Sequence, residues 1–251
     1  MSPRTAPEPP DQRLIDAEMI AAASRRPRPH GHPDRDYPAY RSSALRHPLQ
    51  PLVVSDPRAL ELTGPVFGPT DVGAADHDLT AQHRGQPLGE RIVLHGRVTD
   101  GWGRPVRHQL VEIWQANAAG RYAHLRDQHP APLDPNFTGT GRALTDAQGH
   151  YQFVSIKPGA YPWRNHRNAW RPAHIHFSLF GTAFSQRLIT QMYFPADPLF
   201  RFDPIFNSVT DPAAQARMIA DFDPSATQEE WALGYRFDIV LTGPRATPME
   251  D

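Results

Sequence analysis

At 251 residues, with a formal net charge of −1, the chain can bury a sizeable core and carries no charge excess suited to nucleic acid. Cysteine is absent, which excludes disulfide scaffolds, zinc ribbons and cysteine nucleophiles. Any metal must then be held by imidazole, carboxylate or phenolate, a donor set that favours a harder ion.

Taken in chain order, residues 1–10 are polar and Pro-rich and lack the apolar core of a secretory signal. No run approaches the roughly 18 apolar residues of a membrane span, so a cytoplasmic protein is expected. Asp11 to Arg26 reads as a short amphipathic helix, with Leu14, Ile15, Met19 and Ile20 apolar and arginines at its end. Residues 27–90 carry Pro or Gly every few positions and Leu52-Val-Val54 as their one clear strand; such a segment must lie along a scaffold or a partner chain. Residues 1–88 are therefore expected to form an N-terminal arm, and residues 89–251 the folded domain.

From Gly89 the texture changes. Arg91 to Thr99 and Leu110 to Gln115 predict strands around an Asp100-Gly-Trp-Gly103 turn. Arg142 to Thr145 and His150 to Ile156 predict a hairpin over Asp146-Ala-Gln-Gly149. Ala173 to Phe180, Leu188 to Phe194 and Tyr235 to Leu241 add further strands, while Pro212 to Phe222 and Thr227 to Leu233 read as helical. Short strands, turn signals and few helices predict an all-β fold, an antiparallel β-sandwich.

The chemistry gathers in Tyr161-Pro-Trp-Arg-Asn-His-Arg-Asn-Ala-Trp-Arg-Pro-Ala-His-Ile-His176. On a strand, His174 and His176 share one face and Ile175 takes the other, an arrangement that suits a metal. A His-x-His pair in a strand is nonetheless more often structural than ligating. His30-Gly-His32 lies among prolines and reads as solvated loop. Asp76-His77-Asp78 could take a divalent ion, but turn hydrogen bonding is the better use of its aspartates. Tyr122 follows the strand carrying Trp114, where a tyrosine ordinarily buries its ring and wets its hydroxyl. Joined to Tyr161 and the two histidines, it would complete a set of two phenols and two imidazoles. A phenol has an ordinary pKa of about 10, and ferric iron displaces its proton at neutral pH where magnesium does not.

Several longer motifs resemble the intradiol ring-cleaving dioxygenases. They are Leu110-Val-Glu-Ile-Trp-Gln-Ala-Asn117, Gly120-Arg-Tyr122, Ala131-Pro-Leu-Asp-Pro-Asn-Phe137, Ile156-Lys-Pro-Gly-Ala-Tyr-Pro-Trp-Arg-Asn165 and Trp170-Arg-Pro-Ala-His-Ile-His-Phe177. The likeness begins near Tyr37-Pro-Ala-Tyr-Arg-Ser-Ser43 and is strongest to the β-type chains of the hetero-oligomeric members. It implies one Fe(III) per chain held by Tyr122, Tyr161, His174 and His176, with Tyr161 also acting as a base toward a bound catechol. It further implies a catalytic role for Arg171, and contacts of Tyr40, Trp163, Gln191 and Ile205 with the substrate, Tyr40 toward its carboxylate. The implied reaction opens protocatechuate (3,4-dihydroxybenzoate) with O₂ between its hydroxyl-bearing carbons, giving 3-carboxy-cis,cis-muconate in aromatic catabolism. The implied partner is a homologous α subunit lacking the ligands, which the irregular arm would wrap. Alternatives are an intradiol enzyme of catechol or hydroxyquinol, or a non-catalytic sandwich subunit. Enzymes of the first kind carry a long helical N-terminal region, and a subunit of the second kind lacks the four ligands.

Overall fold

The computed structural model describes residues 13, 31–50, 72–164, 167–180 and 187–249. The predicted Leu52–Val54 strand, and the predicted Asp11–Arg26 helix apart from Arg13, lie outside them. Two sheets face each other. In the first, β1 (Arg91–Thr99) is central: it pairs antiparallel with β4 (His150–Ile156) and parallel with β10 (Leu233–Arg236) and β11 (Ile239–Val240), and β9 (Asp221–Phe222) flanks β10. The second runs β3 (Thr140–Leu144), β2 (Leu110–Trp114), β7 (His174–Phe180), β8 (Arg187–Tyr193), antiparallel throughout. A separate hairpin joins β5 (Tyr161–Trp163) to β6 (Ala169–Arg171). The sandwich is as expected, except that β10 and β11 run parallel to β1.

The core lies between the sheets. Ile92, Leu94 and Phe153 of the first sheet share one apolar cluster with Ile113, Ile175, Phe177 and Leu179 of the second. Side chains alternate along a strand, so burying Ile175, Phe177 and Leu179 inward turns His174, His176 and Ser178 to the outer face. Each of those three apolar side chains contributes about 1.5–3 kcal/mol over exposure. A one-residue slip of β7 would forfeit all three and drive both histidines into the core. Core packing thus fixes which face carries the imidazoles.

Four expectations are corrected. The Asp146–Gly149 turn forms, closed by Gly149 N–H donating to the Asp146 carbonyl at 3.0 Å, but its flanking strands do not pair. β3 is taken along its whole length by β2, and β4 by β1, so the turn passes the chain between sheets. Tyr235–Leu241 divides into β10 and β11 because the Asp238 carboxylate accepts the Arg97 N–H at 3.0 Å, where ladder pairing would continue. The helix from Pro212 stops at Ala216, since Tyr193 of β8 captures the backbone of Met218 and Ala220 at 2.8 and 2.9 Å. Thr227–Leu233 is a tight turn closed by a Gln228–Ala232 bridge rather than a helix. Among the described residues the helices are short: α1 (Ser43–Arg46), α2 (Pro204–Ser208), which follows a 3₁₀ turn at Phe200–Phe202, and α3 (Pro212–Ala216). Among the described residues no helix is long and apolar enough to cross a membrane.

Candidate metal centre

β7 and β8 supply the floor of the site. His174 lies opposite Tyr193 and His176 opposite Gln191 across the ladder, so the four side chains share the outer face. On its other side β7 pairs with β2, placing Trp114 opposite His176. Their rings stack at 4.8 Å between centroids and 5° between planes, which fixes the His176 ring.

His174 is nearly fully buried, and its Nδ1 lies 2.6 Å from the Pro172 carbonyl oxygen. A carbonyl only accepts, so in the neutral ring Nδ1 carries the proton and Nε2 presents a lone pair. That Nε2 sits 3.3 Å from the Tyr122 hydroxyl. Burial, then the nearby Arg171 and His176, hold the His174 pKa well below the ordinary imidazole value, against the opposing pull of the Pro172 bond. The ring is thus kept in the neutral form that a ligand requires.

Tyr122 and Tyr161 reach the floor from two loops locked together. The Asn117 side chain accepts from the backbone N–H groups of Ala119 and Arg121 at 2.9 and 3.0 Å, folding a turn that ends at Tyr122. The Asn117 carbonyl accepts from Gly159 N–H at 2.9 Å, docking that turn on the segment leading to Tyr161. Beyond the turn, Asp127 accepts the Tyr122 N–H at 2.8 Å. Gly120 sits at the seam with φ +78°, and a Cβ there would lie 2.5 Å from the Ala160 carbonyl oxygen and 3.2 Å from the Tyr161 Cβ. Gly120→Ala should therefore cost about 1–3 kcal/mol and push the two tyrosines apart. A lower Tm checks the strain, and an altered visible spectrum of the iron-loaded protein checks the displacement.

The result is four rings facing one another. Centroids are 5.8 Å apart for Tyr122 and Tyr161, 5.7 Å for Tyr161 and His174, 5.0 Å for His174 and His176, and 6.3 Å for Tyr122 and His176. No three His, Asp or Glu side chains converge among the described residues. The decoy at Asp76-His77-Asp78 is spent on turns: Asp76 accepts from Gly73 N–H, and Asp78 from the Thr80 N–H and hydroxyl. His30 lies outside the described residues.

The β5–β6 register sets Arg171 opposite Tyr161, and the Arg171 guanidinium lies 5.3 Å from the Trp163 ring centroid. Arg171 is buried and bonds Asp203 Oδ2 through Nε at 3.2 Å; it also donates to the Gln191 carbonyl oxygen. Tyr193 donates its hydroxyl toward the same two acceptors, at 3.0 Å to Gln191 and 3.1 Å to Asp203. With its oxygen so engaged, Gln191 keeps a buried Nε2 with no partner among the described residues. Ile205 is buried on α2, and Tyr40 meets Trp163 at 5.3 Å between centroids. The Tyr40 hydroxyl bonds Arg46. Sequence reading missed Trp114, Tyr193, Asp203 and the Pro172 carbonyl. Only Asp203 left a local mark, as an acidic residue before Pro204 that signals a helix cap.

Residues 62–243 match the family model described as dioxygenase, and residues 24–58 a second described as protocatechuate 3,4-dioxygenase beta subunit N terminal. The chain belongs to the intradiol dioxygenase family. The protocatechuate 3,4-dioxygenase beta chain of Burkholderia cepacia is 60% identical over 87% of this chain and 94% of its own. The alpha chain of that enzyme from Pseudomonas putida is 32% identical over 65% and 77%. In three dimensions the dioxygenase resembles 3-chlorocatechol 1,2-dioxygenase from Rhodococcus opacus 1CP. The TM-score is 0.51 at 22% identity, covering 70% of this chain and 69% of that one, a likeness of fold. The four rings and the Arg171 cluster all fall inside the dioxygenase match, whereas Tyr40 falls in the N-terminal one.

Proposed function

We propose that this intradiol dioxygenase is a protocatechuate 3,4-dioxygenase β-type chain, holding one Fe(III) through Tyr122, Tyr161, His174 and His176. The observation that carries the reading is the convergence of two phenols with two imidazoles, one of them held neutral with its lone pair turned toward a phenol. This donor set fits ferric iron: two hard anionic oxygens stabilise the trivalent state, and two imidazole nitrogens complete the set without adding charge. When bound, Fe(III) supplies Lewis acidity that draws electron density from a chelated catechol and opens its ring to O₂.

The protein's own groups account for the rest. Tyr161, on the short β5–β6 hairpin, would hold the iron through its phenol oxygen and take up a catechol proton there. Arg171, opposite it, holds a fixed positive charge beside the ring as negative charge develops there. The Gln191 N–H₂, without a partner among the described residues, offers the substrate a donor from the floor, and Trp163 and Ile205 wall the ring. Tyr40 serves the carboxylate end. The partner is a homologous α subunit, a reading that the match at 24–58 and the alpha-chain relative support. The setting is cytoplasmic aromatic catabolism.

Iron analysis and absorption spectroscopy test the reading. The purified protein should hold about one iron per chain and be red-brown from tyrosinate-to-iron charge transfer, its band shifting when protocatechuate is added without oxygen. A colourless protein at full iron loading would sink the two-phenolate site. Turnover on protocatechuate well above that on catechol, raised by a co-expressed α-like chain, is the expected substrate result.

A further inference from the structure

The Arg171 guanidinium is not a free cation poised over the site. It lies in a closed, fully buried unit with Asp203, Gln191 and Tyr193, each at most 3% exposed. Asp203 divides its carboxylate: Oδ2 accepts from Arg171 and Tyr193, while Oδ1 accepts from Ile205 N–H at 2.9 Å and caps α2. One residue therefore sets both the cation and the start of the helix that presents Ile205. Tyr193 closes the unit from below. Its ring is held edge-on against Phe200 and Phe206, at 5.9 and 5.1 Å, and lies 5.9 Å from His174, packing that aims its hydroxyl at Gln191 and Asp203.

We infer that Asp203, assisted by Tyr193, is the positioning residue of the site, orienting Arg171, Gln191 and α2 relative to the four rings. Resting on the iron reading above, this deepens it: the buried carboxylate decides where the positive charge stands. Four arguments carry it. A guanidinium has several rotatable bonds and swings freely unless at least two of its N–H groups are fixed, and Asp203 and Gln191 fix them. Burial makes both bonds stronger than at a surface. The Gln191 oxygen is satisfied by Arg171 and Tyr193 together, which settles its amide orientation and frees Nε2 for a ligand. Neither Asp203 nor Tyr193 belongs to the four-ring set, so altering them leaves the proposed metal donors intact.

The test compares Asp203→Asn and Tyr193→Phe with the parent as iron-loaded protein. Asp203→Asn keeps shape and an oxygen for the Ile205 cap but strands the guanidinium, and stability falls with it. Tyr193→Phe keeps every charge paired and removes only the shared donor, so it carries the test where the first variant folds poorly. In both, kcat per bound iron should fall on the order of 10- to 100-fold, with KM changed by less than about threefold. The resting charge-transfer band and iron content should match the parent, while the anaerobic substrate-induced shift should differ. A purely structural role would lower Tm and iron content together and leave kcat per iron and the substrate shift unchanged; that result overturns the inference. A parent protein that binds no ferric iron overturns the metal reading and this role with it, whereas a coloured, active parent with variants at full kcat per iron overturns the role alone.

Discussion

Tyr161→Phe should lower kcat by about 10²–10⁴-fold at saturating protocatechuate, while changing Tm little. Phenylalanine keeps the ring against Tyr122 and His174, at 5.8 and 5.7 Å, and breaks no backbone bond of the β5–β6 pairing. Tyr161 is half-buried, so the loss of one hydroxyl stays within the roughly 0.5 kcal/mol expected of tolerant positions. On the proposed reading the chemistry is what suffers, since the variant would have no phenol oxygen to take the catechol proton. The charge-transfer band should weaken and move, since Tyr122 alone remains to produce it. Stopped-flow turnover and the visible spectrum check the two halves separately. Parent-like kcat would remove Tyr161 from the ligand set, and a parent-like spectrum with lost activity would leave it a base but not a ligand.

What the sequence showed of this site follows from the range over which its causes act. Alternation in His174-Ile-His176 is local, and the inward Ile175 and Phe177 enforce it, so strand and face were both legible, while the register against β8 was not. The Asp146–Gly149 turn was legible as a turn, but four residues cannot say whether their flanking strands pair. β2 competed for Arg142 and β1 for His150, and that contest is decided by the whole sandwich. Tyr122 carries no signal of its own. Its place depends on the Asn117 turn docking against Gly159, a contact between separate loops, and only resemblance to longer motifs pointed to it. Asp203 is the sharpest case: an acidic residue before Pro204 carries the local signal of a helix cap, but its second meaning as partner of Arg171 lies 32 residues away in sequence.

That second meaning makes Arg171 the most informative residue to replace. Arg171→Met preserves length and apolar bulk but leaves Asp203, fully buried, without its cation. Breaking a buried pair from one side costs about 3–5 kcal/mol, a Tm loss of roughly 6–20 °C for a chain of this size. Turnover should fall on the order of 10²–10³-fold as well, the usual effect of removing a preorganised charge from a reacting centre. The two losses have different causes, and the double variant Arg171→Met, Asp203→Asn separates them. Neutralising Asp203 removes the stranded anion, so thermal melting should show most of the stability regained, a strongly non-additive result for residues in contact. Turnover should not return, because no positive charge stands opposite Tyr161. Recovery of both in the double variant would make Arg171 a structural counter-ion of Asp203. Recovery of stability alone places its charge in the reaction.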